Sequence, residues 1–183
     1  MKMGKKIYRV VLTGGPASGK TTLISRILKE FKQDDGWRVI TIPETATELI
    51  SGFGINPFGV CMSMLKFQDF VIADQIHKEK LALQAAEVVP EEKVLIVYDR
   101  ALLDDKAYIT DEEFAETLYR VGGKTEAEVL AGYDAAVSRH LCQGRGVCVQ
   151  PRQHRAQRVD RVRARDRRSN AECLERVSEP AHY

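Results

Sequence analysis

The stretch Tyr8-Arg9-Val10-Val11-Leu12-Thr13-Gly14-Gly15-Pro16-Ala17-Ser18-Gly19-Lys20-Thr21-Thr22 decides the fold. Residues 8–13 are a short β-branched run halted by Gly14-Gly15-Pro16, which reads as a buried strand stopped by a turn. After the turn, residues 21–32 place Leu23, Ile24, Ile27, Leu28 and Phe31 at three- and four-residue spacing, and Gly36 supplies a stop. That spacing predicts an amphipathic helix. Between strand and helix, Gly14-Gly15-Pro16-Ala17-Ser18-Gly19-Lys20-Thr21 fits G-x-x-x-x-G-K-S/T at every defined position. Glycines allow successive backbone N–H groups to curl around an anion, and the helix start adds partial positive charge. The pattern in that setting predicts a phosphate cradle. Lys20 reaches the outer phosphates of a nucleoside triphosphate, the Thr21 hydroxyl ligates Mg²⁺, and Thr22 donates to the α-phosphate.

Outward from this loop, strands and helices alternate. Residues 37–42 read as a second strand ended by Pro43, 44–50 as a short helix, and 52–59 as a Gly/Pro-rich turn. Residues 62–87 form a long helical stretch without Gly or Pro, with Met64, Phe67, Phe70, Val71 and Ile76 on its core-facing stripe. Gln68, Asp74 and Gln75 could line the pocket from this helix, but a solvated helix face is the plainer expectation, and His77, among charged residues, is assigned no role. A third strand spans 94–98. Thr110 with Glu113, and Thr125 with Glu128, fit capping boxes opening two further helices, and Ala135 begins a fourth strand. Such alternation implies an α/β fold in three layers, a mainly parallel sheet covered by helices on both faces.

Bulk properties agree with one compact unit. The chain has 183 residues, 44% hydrophobic and 30% charged, with a formal net charge of +2 that singles out no partner class. The average conceals a split, because residues 1–137 hold 17 Lys+Arg against 21 Asp+Glu whereas 138–183 hold 11 Arg, no Lys and 5 acids. We therefore divide the chain into a nucleotide-binding domain over 1–137, incomplete at its C-terminal end, and an Arg-rich, irregular tail over 138–183. Cys61, Cys142, Cys148 and Cys173 lack zinc-site spacing and suggest no secreted disulfide framework. No stretch has the length and apolarity of a membrane span or signal peptide, so a cytoplasmic location is expected.

In open parallel sheets, functional groups gather at the carboxyl ends of strands. Those ends carry Glu44 and Asp99-Arg100. Asp99 is placed to hold Mg²⁺ directly or through water, Arg100 to balance charge on a phosphate, and Glu44 to accept a proton from a substrate hydroxyl. Each has a plainer alternative: Asp99 capping a turn, Arg100 in a surface ion pair, Glu44 as the acidic first turn of a helix.

The runs RVVLTGGPASGKTTLISRI, VITIPETATELI, the Phe67-Gln68 helix and VYDRALLDDKAYI together resemble the AAA-type P-loop ATPase family. That family groups the nicotinamide riboside kinase module of NadR with the TRPL-translocation-defect proteins. The resemblance spans residues 6–137 and rests on Pro43-Glu44-Thr45-Ala46-Thr47-Glu48 and the Asp99-Arg100 strand end. It implies a nucleoside/nucleotide-kinase-like core, with Asp99-Arg100 and Ala107-Tyr108 also similar to the Asp-Arg motif of thymidylate-kinase-like enzymes. It carries over Lys20, Thr21 and Asp99, with Glu44 the weaker match.

The function expected is Mg²⁺-dependent ATP or GTP binding, as an ATPase or a kinase of a small nucleoside-like acceptor. The alternative is a regulatory module that binds GTP and phospholipid headgroups without efficient phosphotransfer. No Asn-Lys-x-Asp signature is present, which tilts the nucleotide toward ATP. The tail departs from the family, and its switch from Lys to Arg near Ser138 is what a shift of reading frame or a disordered segment produces. Its arginines suit phosphate neutralisation, but without interleaved aromatics or helical patterning they argue against nucleic acid as the partner.

Overall fold

The computed structural model describes residues 4–15, 18–57, 62–138 and, for the backbone alone, 148–151. Its strands are β1 (Lys6–Thr13), β2 (Trp37–Ile42), β3 (Lys93–Asp99), β4 (Ala135–Ser138) and β5 (Cys148–Pro151). Its helices are α1 (Lys20–Glu30), α2 (Thr45–Ser51), α3 (Met64–Val88), α4 (Asp111–Gly122) and α5 (Glu126–Ala131). A 3₁₀ turn at Leu102–Ala107 follows β3.

The sheet order is β2-β3-β1-β4-β5, and the first four strands run parallel. This is the α/β architecture that the alternation implied. Strand β5 pairs antiparallel with β4, setting Ser138 opposite Cys148. The sequence predicts no packed element from Ser138 onward, since four residues are too few for a period-two signal to stand out. Residues 152–183, most of the Arg-rich tail, lie outside the described residues.

Strand β3 is apolar on both faces, as a central parallel strand must be. Val94, Ile96 and Tyr98 face a core shared with Ile72, Phe114 and Leu118, while Leu95 and Val97 face Leu23, Ile24, Ile27 and Phe31 across the sheet. Helix α1 therefore covers one face and α3 with α4 the other. Leu28, expected on the buried stripe of α1, is 50% exposed, because the four residues just named already fill the contact. On α3 the buried positions are Phe67, Gln68, Val71, Ile72, Gln75, Glu79, Ala82 and Ala86. Phe67 and Val71 are thus in the core as expected, but Phe70 lies at the surface. Gln68 and Gln75 are buried instead of solvated.

Register brings the candidate residues to one edge. Leu12 stands opposite Asp99, Ile42 opposite Tyr98, and the Arg100 amide donates to the Leu12 carbonyl at 2.9 Å. The glycine loop after β1, Glu44 after β2 and Asp99-Arg100 after β3 are therefore neighbours at the carboxyl edge of the sheet.

Candidate active site

The loop after β1 needs glycine at two places. Gly14 has φ 133° and Gly19 φ 81°, backbone that L side chains seldom adopt. Gly19 is the residue before α1, so its left-handed turn feeds the chain straight into the helix. Lys20 is buried, and its ammonium donates to the carbonyls of Gly14 (3.0 Å) and Gly15 (3.2 Å). Two of its three donors thus hold the loop and one is left for an anion. The Ser18 hydroxyl is buried with no partner among the described residues, a polar atom that a phosphate oxygen would satisfy. Thr21 and Thr22 are exposed in the first turn of α1, which carries no acidic residue. Pro16 and Ala17 lie outside the described residues.

Beside this loop, Asp99 Oδ1 is buried without a hydrogen-bond partner among the described residues. Burial pushes its carboxyl above the ordinary aspartate range, the Lys20 ammonium pulls it back, and the Glu44 carboxylate adds to the rise. A carboxylate held ionised only at a cost fits a site that expects a cation. Thr21, whose hydroxyl with this carboxylate would offer Mg²⁺ hard oxygen donors, lies in the adjacent first turn of α1. No cluster of three or more His, Cys, Asp or Glu suited to a metal occurs among the described residues. Mg²⁺ on a nucleotide needs no such cage, since one or two protein oxygens, phosphates and water complete its octahedron.

Arg100 is the one non-glycine residue with positive φ among the described residues, at 66°. Such backbone costs of order 1 kcal/mol and persists where surroundings hold it. Here it turns the guanidinium toward Glu44, whose Oε1 lies 2.6 Å from Arg100 Nε, a close ion pair rather than an aligned hydrogen bond. Burial opposes the guanidinium charge, while Glu44, Tyr108 and Asp104 favour it and leave its pKa raised. The Thr47 hydroxyl donates to Glu44 Oε2 at 3.1 Å, so both oxygens of that carboxylate are fixed.

A cleft of about 220 Å³ opens next to this pair, with Glu44, Gln68, Gln75, Arg100, Asp104, Asp105 and Tyr108 among its polar lining and Ile50, Met64, Phe67 and Val71 among its apolar lining. Asp104 accepts from the Thr13 hydroxyl and from the Ala101 amide at 2.9 Å. Burial nonetheless pushes its carboxyl up. Burial, and then the Asp104 charge, push Asp105 well above the ordinary range.

The structure therefore brings Lys20, Asp99, Arg100 and Glu44 together, with Thr21 and Thr22 at the adjacent helix start. It adds Asp104 and Asp105, which sequence reasoning missed, and Tyr108, which entered only through the Asp-Arg resemblance, and it puts Gln68 and Gln75 in the cleft lining rather than on the solvated face that was the plainer expectation. A signal existed for the glutamines. Gln68 and Gln75 recur at three- and four-residue steps with Met64, Val71 and Ile72, the period of the buried stripe itself.

Among solved structures, the chain is similar to thymidylate kinase from Ehrlichia chaffeensis, with a TM-score of 0.53 and 14% identity over 95% of this chain and 89% of that one. At that identity the likeness concerns the fold. No curated protein matches by sequence. The profile of the AAA domain family matches residues 9–175, covering the glycine loop, all three strand ends and much of the tail. The chain belongs to the AAA domain family.

Proposed function

We propose that the protein is a Mg²⁺-dependent phosphotransferase that binds ATP or GTP on the glycine loop and passes the γ-phosphoryl group to a hydroxyl of a small, nucleoside-like acceptor. One observation carries this reading. Asp99 lies within electrostatic reach of Lys20, and the next residue, Arg100, lines the cleft in an ion pair with Glu44, so donor and acceptor would meet at this strand end.

In this reading Lys20 and the loop amides bind the β- and γ-phosphates, and Thr21 with Asp99 would hold Mg²⁺. Bound there, Mg²⁺ neutralises charge on the phosphate oxygens. Glu44 takes the acceptor's hydroxyl proton, the acceptor oxygen bonds to the γ-phosphorus, and the β–γ bridging bond breaks to release the nucleoside diphosphate. Arg100 holds Glu44 in place and balances charge as the phosphoryl group moves.

The charge of the cleft favours an acceptor without a phosphate of its own. Arg100, the one basic residue among its described lining, is already occupied by Glu44. An anionic phospholipid headgroup would find the same cation taken, so a lipid-binding module gains no support from this cleft. The test is release of ADP or GDP from MgATP or MgGTP with nucleosides and with nucleoside monophosphates as acceptors. Turnover with a nucleoside, lowered at least about tenfold by Glu44→Gln with nucleotide affinity kept, supports the reading. Turnover confined to monophosphates contradicts it.

A further inference from the structure

Gln68 is the unusual side chain of the cleft. It is 2% exposed, its Oε1 has no hydrogen-bond partner among the described residues, and its Nε2 has only the Met64 sulfur at 3.8 Å. Its neighbour one helical repeat on differs. Gln75 accepts from the Thr45 hydroxyl and donates to Glu79 Oε1 at 3.4 Å, so that carboxamide is committed to the scaffold.

A buried amide left unpaired carries the desolvation penalty of its polar atoms with nothing in return, and native proteins rarely keep one without a use. Oxygen and nitrogen of the carboxamide can exchange by rotation about the last side-chain torsion, so it can offer an acceptor or a donor to the cleft. Phe67, Val71, Met64 and Ile50 also line the cleft and supply apolar surface suited to the faces of a flat ring.

We propose that Gln68 is the specificity-determining residue for the acceptor, and that it pairs with a planar edge carrying adjacent N–H and C=O groups, as a nucleobase or other lactam ring presents. This rests on the acceptor reading of the cleft given above. Gln68 sets which ring is held, whereas Glu44 and Arg100 act on the hydroxyl. The carboxamide stays dry because the ring excludes water as it binds.

The experiment compares wild type with Gln68→Leu, a near-isosteric change that removes the unpaired amide and should fold at least as well. Each protein is titrated with MgATP by calorimetry. Adenosine, guanosine, cytidine, uridine and free ribose, the last a hydroxyl donor without a ring edge, are then followed by thermal shift in the presence of MgADP and by ADP release from MgATP. At least one nucleoside should bind wild type, and Gln68→Leu should weaken it about tenfold or more while ATP affinity and any response to ribose stay unchanged. Gln68-dependent nucleoside binding without ADP release would uphold the assignment while removing phosphotransfer. Equal loss for ribose and nucleosides, equal affinity in the two proteins, or no nucleoside binding in either would overturn it.

Discussion

Asp99 carries a burial cost that the Lys20 and Arg100 charges offset only in part. Burial holds its carboxyl above the ordinary range, so at neutral pH its ionised form destabilises the fold. For an acid whose folded pKa is raised, stability is greatest below the unfolded pKa and falls as pH rises through the folded one. Asp99→Asn should therefore stabilise the free protein, by up to about 1 kcal/mol because the group is partly open to solvent and screened. The same change should abolish the Mg²⁺ dependence of nucleotide binding. Denaturant melts and calorimetry with and without EDTA check both halves, and a destabilised variant that still binds Mg²⁺-nucleotide tightly would count against the assignment. At Arg100, with φ 66°, Arg100→Gly removes strain and charge together. It should leave stability within about 1 kcal/mol of wild type yet lower turnover far more than Arg100→Lys does.

Residues of the glycine loop were legible because their chemistry is local: eight consecutive positions specify the turn, the ammonium and the hydroxyl. Glu44, Asp99 and Arg100 could be placed at strand ends, and the parallel register then brought them together. Asp104 and Asp105 were not legible, since a 3₁₀ turn of six residues has no period to betray which side chains face inward.

Capping signals translated directly into helix starts. Thr110 accepts from the Glu113 amide at 3.2 Å while Glu113 Oε2 accepts from the Thr110 amide at 2.8 Å, closing the box that Thr110 with Glu113 announced. Thr110→Ala should cost about 1 kcal/mol in chemical denaturation without altering nucleotide affinity, since α4 lies outside the cleft. Helix α3 was harder to read. Its buried stripe holds Gln68, Gln75 and Glu79 alongside Phe67, Val71 and Ile72, so an apolar count finds Phe67 and Val71 but leaves out the polar members and puts the exposed Phe70 inside. The polar members betray use: Gln75 and Glu79 tie the helix to its neighbours and Gln68 faces the cleft.

Across the whole molecule, one largely buried network joins α3 to β1, β3 and the segment leading into β4. Arg9 of β1 donates to the Tyr98 hydroxyl of β3 at 2.8 Å and to Glu79 of α3 at 3.0 Å, and the Tyr133 hydroxyl, just before β4, donates to Glu79 at 2.6 Å. The guanidinium also lies 5.0 Å from the Tyr133 ring centroid. Such a network ties the sheet to the helix that walls the cleft. Glu79→Ala should cost roughly 2–3 kcal/mol by leaving the part-buried Arg9 without its carboxylate and the Tyr133 hydroxyl without its acceptor, a loss that denaturant titration would register. Burial pushes Tyr98 up to about 12, and Tyr133 in the same direction. Stability from their neutral forms is complete below pH 10 and declines as pH climbs from there through the folded values, so Tyr98→Phe should flatten alkaline unfolding between pH 10 and 12.

Calorimetric titration of wild type and Lys20→Ala with ATP and GTP, in Mg²⁺ and in EDTA, tests the central claim most directly. Wild type should bind one equivalent in a Mg²⁺-dependent manner, and Lys20→Ala, with unchanged circular dichroism, should lose about a hundredfold or more in affinity. Failure of wild type to bind either nucleotide, or equal affinity in the two proteins, would contradict the account.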